Sequence, residues 1–144
     1  MSERIVLAAR GWIGTPYVHQ ASVKGAGTDC LGLIRGVWRE LYGREPEALP
    51  AYTQDWGEMG ESELLMSGAA RLLMPVTDEM AGDVLIFRMR SGAIAKHMGI
   101  QAQAGSAASF IHAYDRHGVV ESPLSAPWSS RIAGRFRFPP LQQA

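Results

Sequence analysis

The apolar positions of this chain change their period about halfway along it. Early on they recur at helical spacing: Ile5, Ala8, Ala9 and Trp12 follow Ser2, which fits an N-cap, and predict a helix over residues 3–12 that Gly14-Thr15-Pro16 ends. The clearest stripe is Leu31, Ile34, Val37, Trp38 and Leu41, with Asp29 fitting the N-cap and Gly43 the C-terminal stop. Cys30 therefore falls in the first turn of that second helix. After a polar stretch over 44–60 that carries Pro46 and Pro50, Ser62 fits the cap of a third helix over 63–74, ended by Pro75. From there the pattern turns β-rich, with strands predicted at 84–89, 97–101, 109–113, 119–121 and 131–138 between turn residues. In the last of these Arg135, Phe136, Arg137 and Phe138 alternate, the period of a half-buried edge strand. Helices first and antiparallel strands afterwards predict an α+β fold and argue against a βαβ repeat.

Length and composition narrow this picture. With 144 residues, 47% of them apolar, the chain suffices for one core, and residues 1–139 read as a single domain followed by a short polar tail. Fourteen basic and fourteen acidic residues leave no net charge, so no global field favours nucleic acid or an anionic membrane. No apolar stretch approaches the roughly 18 to 20 residues of a membrane span, and the run over 5–9 behind Glu3 and Arg4 is too short for a Sec-type signal. One cysteine excludes an intrachain disulfide, a four-cysteine zinc site and a dithiol redox centre. Cys30 is either a small buried hydrophobe or a working thiol.

Its position favours the second reading, because the first turn of a helix presents unpaired N–H groups and the positive end of the dipole, both of which stabilise a thiolate. A thiol hydrolase also needs a base and a group to orient that base. His97 opens one predicted strand, in His97-Met98-Gly99-Ile100, and His112 lies in the next, in Phe110-Ile111-His112-Ala113. Two histidines on neighbouring strands stand side by side if both point to one face. The competing readings are a structural histidine at each position and, at His117 beside Gly118, a surface one. A zinc site of one Cys and two or three His is disfavoured, since no Cys-x-x-His or His-x-x-x-His occurs, and no cofactor is expected.

The ordered blocks Gly14-Thr15-Pro16-Tyr17, Asp29-Cys30-Leu31-Gly32-Leu33-Ile34, Gly82-Asp83-Val84-Leu85-Ile86-Phe87, His97-Met98-Gly99-Ile100 and Phe110-Ile111-His112-Ala113 resemble the NlpC/P60 family of cell-wall cysteine peptidases, across nearly the whole chain. More narrowly, the His19-Gln20 pair, the Lys24-Gly25-Ala26-Gly27 turn and the compact size are similar to a phage-type and gene-transfer-agent branch of tail-associated peptidases.

The resemblance implies a papain-like half-domain in which Cys30 is the nucleophile, His97 its base and His112 the group that orients His97. It further implies the Tyr17 hydroxyl near the oxyanion, Asp29 near the free α-amine of the substrate, and His19 or Gln20 lining the cleft. The implied substrate is the peptide stem of bacterial peptidoglycan, cut between D-glutamate and the following diamino acid. The implied partners are tail or baseplate hub proteins, and the implied place of action is the cell wall, reached on a phage-like particle. Leu31 departs from the family's usual Ser after the cysteine, His19-Gln20 from its usual Gly-Gly, and Ala81-Gly82-Asp83 from its Pro-Gly-Asp. The turn over 103–108 is longer than the family norm. Two other classes fit the same residues: a catalytically silent structural or binding module of a tail baseplate, and another thiol enzyme on the same fold, an amidase or acyltransferase.

Overall fold

The computed structural model describes residues 1–45, 64–89 and 97–141. The expected helix start at Glu63, its cap Ser62 and the two prolines of the polar stretch lie outside the described residues. Helix α1 (Ser2–Arg10) starts one residue earlier than expected, on Met1 and with no side-chain cap, so Ser2 lies inside the helix. It buries Ile5, Val6 and Ala9, and its last residue, Arg10, falls two short of Trp12. Trp12 is nevertheless buried, because its ring lies against Gly36, where a Cβ would come within 2.0 Å of Trp12 Cζ2. Its indole N–H donates to Glu40 Oε2 at 2.6 Å.

Two short strands that apolar spacing could not reveal, β1 (Ser22–Val23) and β2 (Gly27–Thr28), form a hairpin leading into helix α2 (Cys30–Tyr42). Helix α2 begins and ends where its capping residues predict. Asp29 Oδ1 accepts the Gly32 N–H at 2.8 Å, and Gly43 takes the left-handed conformation that closes the helix. A third helix, α3 (Leu64–Leu72), ends before the expected position, and Met74 and Pro75 form a short strand, β3 (Met74–Pro75).

The remaining strands are β4 (Val84–Phe87), β5 (His97–Gln103), β6 (Ser109–Tyr114), β7 (Gly118–Pro123) and β8 (Ile132–Arg137), with a short helix, α4 (Ala126–Ser129), between the last two. They pair antiparallel in the order β3-β8-β4-β5-β6-β7. The α+β expectation of helices on an antiparallel sheet is met. One detail is corrected: β8 lies between β3 and β4 and is no edge, and its alternation arises because Phe136 faces the helix-covered core while Arg135 and Arg137 reach Asp83 on the other face.

Strand alternation sorts the side chains between two cores. Val84, Ile86, Met98, Ile100, Ile111, Ala113 and Phe136 face the helices and pack with Ile5, Leu33, Val37 and Leu65. Leu141, expected in the polar tail, packs against this core as well. Leu85, Phe87 and Phe110 face the other way and form a second, smaller core with Trp128, Leu124 and Ile132. Full burial of each large apolar side chain here is worth about 1.5 to 3 kcal/mol.

Candidate active site

Cys30, His97 and His112 come from three elements: the first turn of α2, the first residue of β5, and the middle of β6. The β5–β6 ladder begins at Ile100 opposite Ile111, so residues 97–99 lie beyond the paired region. There the Met98 backbone N–H bonds to the Cys30 sulfur, as do the N–H groups of Leu31 and of Cys30 itself. The nucleophile candidate is thus seated against the strand residue that follows His97.

On the second face of the sheet, His97 Nε2 lies 2.8 Å from His112 Nδ1, with the rings edge to face. The contact passes diagonally across Gly99. A Cβ there would come within 2.9 Å of Phe110 Cδ2, 3.0 Å of the Ile111 carbonyl and 3.2 Å of His112 Cβ, so only glycine leaves room for the pair. The long turn after β5 does not disturb this register, because a bulge between Gln101 and Gln103 and a one-turn helix at Gly105–Ala107 take up its length. His112 Nε2 in turn lies 3.0 Å from Ser122 Oγ. Phe110 stacks on His112 at 4.1 Å, and Trp128 of α4 lies within 5.7 Å of both imidazoles, making an aromatic roof over them. Neither Ser122 nor Trp128 carried a sequence signal, since each reaches the site from β7 or beyond.

Burial sets the charge state. The Cys30 thiol is pushed up to about 12, first by loss of solvent and then by the Asp29 carboxylate, against the three N–H donors. At the helix terminus the loss of solvent thus works against the three amide donors that favour a thiolate. Burial likewise pushes His97 down to about 3, with His112 adding to it, and His112 down to about 4, with His117 adding to it. At rest the thiol and both imidazoles are neutral. A neutral thiol and a neutral imidazole can pass a proton during attack on a carbonyl without a standing ion pair.

Tyr17 joins the same place. It bridges to Thr28, just before the helix, and its phenol is raised first by burial and further by the neighbouring Cys30, Asp29 and Asp115. Asp115 belongs to the β6–β7 turn, so Tyr17 sits between that turn and the start of α2. Asp29 caps the helix through Oδ1 and accepts the Gln20 N–H through Oδ2 at 2.7 Å, while His19 Nδ1 lies 3.9 Å from that same oxygen. Gln20 has φ +64°, a left-handed conformation suited to glycine. His117 is exposed and stacks on Tyr114 at 5.2 Å; Tyr114 in turn borders His97. Leu31 packs against the core of the sheet's helix-covered face.

The charged residues of β8 do other work. Asp83, fully buried, accepts from Arg135 at 2.8 Å and from Arg137 at 2.8 and 3.1 Å. Arg135 also donates to Gln101 Oε1 at 2.6 Å. Asp83 is far more than a turn residue. Among the described residues no cluster of three or more His, Cys, Asp or Glu could hold a metal ion, and no helix is long and apolar enough to cross a membrane.

Comparison with known proteins fits this arrangement. The chain is 30% identical over 132 residues to the Escherichia coli K12 murein DD-endopeptidase MepS/murein LD-carboxypeptidase, a match covering 91% of this chain and 60% of that protein. It is 32% identical over 135 residues to the Bacillus subtilis γ-DL-glutamyl hydrolase, covering 93% of this chain and 29% of the relative. The chain thus spans about three fifths of the E. coli relative's length. Among solved structures, the NlpC/P60 domain of the peptidoglycan hydrolase SagA superposes with TM-score 0.64 at 24% identity, over 96% of this chain and 99% of that one, a likeness of fold. The model of the NlpC/P60 family matches residues 14–137, which include every residue of the thiol and histidine constellation, and the chain belongs to that family.

Proposed function

We propose that this chain is a cysteine endopeptidase of bacterial peptidoglycan that hydrolyses an amide of the stem peptide, the bond between the γ-carboxyl of D-glutamate and the diamino acid after it. The observation that carries the reading is the Cys30 thiol on the Met98 N–H, next to a histidine whose Nε2 is engaged by a second histidine. With Nε2 so engaged, Nδ1 of His97 is the nitrogen that takes the thiol proton. Sulfur attacks the carbonyl carbon, and the oxyanion forms against the Cys30 N–H and the Tyr17 hydroxyl, which its raised phenol keeps protonated and able to donate. His97 then returns the proton to the departing amine, leaving a thioester. Water attacks that thioester with His97 again as base, which releases the acid and restores the thiol. No cofactor enters the reaction.

Asp29 would hold the free α-amine of the substrate as one more partner of a carboxylate that already accepts two amides, and a carboxylate offers about four lone-pair sites. His19 and Gln20 rim that carboxylate and would meet the same end of the substrate. The B. subtilis relative, a γ-DL-glutamyl hydrolase, supports the choice of bond, and the E. coli relative, a murein DD-endopeptidase and LD-carboxypeptidase, supports peptidoglycan as the substrate. The second part of the proposal is delivery from the tail or baseplate of a phage-like or gene-transfer-agent particle, in contact with its hub proteins. Its support is the His19-Gln20 pair and the Lys24-Gly25-Ala26-Gly27 turn that joins β1 to β2.

The test is incubation of the wild type and Cys30→Ala with diaminopimelate-type peptidoglycan, then mass spectrometry of the soluble fragments. Fragments ending at D-glutamate from the wild type alone are expected. No release from either protein, together with slow alkylation of Cys30, would leave the silent baseplate module in its place, and stem peptides freed at the muramoyl–L-alanine amide would indicate the amidase class. Tail delivery fails if purified particles lack this polypeptide while the host secretes it.

A further inference from the structure

The histidine pair poses a question that its geometry alone leaves open. Burial holds both imidazoles neutral near neutral pH, so each carries one proton, and a contact between two ring nitrogens requires one donor and one acceptor. Two arrangements satisfy the contact. In one, His97 carries its proton on Nε2 and gives it to His112 Nδ1, which forces the His112 proton onto Nε2. In the other, His112 donates from Nδ1, and His97 carries its proton on Nδ1, where it cannot receive one from the thiol. Only the first arrangement leaves His97 Nδ1 without a proton and able to serve as base for Cys30, and it leaves an N–H at His112 Nε2 that needs an acceptor.

We propose that Ser122 is the positioning residue that selects the first arrangement: its Oγ, 3.0 Å from His112 Nε2, accepts the proton there and so fixes the tautomer of both histidines. The fold places it for this role. In the β6–β7 register His112 is opposite Val120 and Phe110 opposite Ser122, so Ser122 is the diagonal neighbour of His112 on the same face. Phe110 and Trp128 cover the His112 ring, which makes the serine hydroxyl its close polar partner at Nε2. The relay thus runs from Ser122 through two rings to the thiol. A hydroxyl can serve as donor or acceptor, so the preference is one the experiment can read directly. This inference rests on the reading of Cys30 and His97 as the working pair, and its first measurement needs no substrate.

The experiment is a long-range 15N–1H correlation spectrum of the imidazoles in the full chain near neutral pH, for the wild type, Ser122→Ala and Ser122→Thr. Expected for the wild type and Ser122→Thr are protons on Nε2 of both rings. In Ser122→Ala the His112 proton should move wholly or partly to Nδ1, and the His97 proton with it. On fragments of peptidoglycan kcat should fall about tenfold in Ser122→Ala with KM within about twofold, the loss of one hydrogen bond of about 1.4 kcal/mol, and Ser122→Thr should recover it. Cys30 alkylation should slow in parallel. A wild-type spectrum with protons on Nδ1 of both rings overturns the proposal without any variant, and so does a Ser122→Ala spectrum identical to the wild type. If the wild type cleaves no peptidoglycan, the proposed function fails, while the spectra and alkylation rates still decide this point.

Discussion

Two corners of one sheet face bury polar side chains in opposite ways. At the corner where β4 begins beside β8, Asp83 accepts from two guanidinium groups and Arg135 also binds Gln101, a charged network with its partners assigned. At the β5–β6 corner His97 and His112 are neutral, joined to each other and to one hydroxyl, under aromatic rings. Leu85, Phe87 and Phe110 separate the two. The first network has fixed charges and one arrangement, so it holds strands together. The second can place its protons in two ways, and that freedom is what proton transfer requires. Burial of a polar group therefore points to chemistry only where a proton has somewhere to go.

The largest expected effect separates the corners by function. His97→Ala should lower turnover about 1,000-fold through loss of the base, whereas His112→Ala should keep partial activity because water can replace an orienter. Equal, full activity in both variants would sink the assignment. Asp83→Asn is the counterpart: it should cost about 3 kcal/mol in a denaturant titration, because Arg135 and Arg137 lose a buried anion, with kcat per folded molecule unchanged. Gly99→Ala should touch both properties, costing about 1 to 3 kcal/mol and lowering kcat, since the added methyl presses on Phe110 and His112.

A smaller effect is read from pH. The folded chain holds both imidazoles below the ordinary value of 6.5, so between there and about 3 to 4 the unfolded chain binds more protons. Stability conferred by the pair is fully present above about pH 6.5 and declines as pH falls through that window. Replacing both histidines with asparagine should flatten that slope in unfolding midpoints measured across the window. Smallest is Gln20→Gly, which removes a left-handed non-glycine residue and should raise stability by up to about 1 kcal/mol in thermal unfolding.

Much of this was legible from local rules. Helix α2 was, because Asp29 and Gly43 punctuate it and its stripe is long; the histidine pair was in part, because alternation gives each strand two faces while the β5–β6 register decides whether His97 and His112 share one. The state of the thiol was not: the motif shows the helix terminus, but the burial that works against it comes from strands almost seventy residues away. Ser122 and Trp128 were invisible for a related reason, as their contacts are set by strand register and by a four-residue helix. The β1–β2 hairpin has two-residue strands, too short for any period to emerge. Strand β8 looked like an edge because alternation records which face is buried and does not record neighbours in the sheet.

The N-terminal segment that bears Tyr17 is stitched to the far end of the chain: Gly14 donates to the Val119 carbonyl, Val119 donates to Thr15, and a side chain at Gly118 would come within 2.5 Å of the Thr15 carbonyl. The Arg10–Glu121 pair and the Tyr42 hydroxyl on the Pro139 carbonyl add further ties of the same span. During synthesis, then, Cys30 emerges from the ribosome long before the strands that surround it. β5, which carries His97 and Met98, follows it by more than fifty residues, and β7, which anchors the Tyr17 segment, comes later still, so the surroundings of Cys30 come together late in folding.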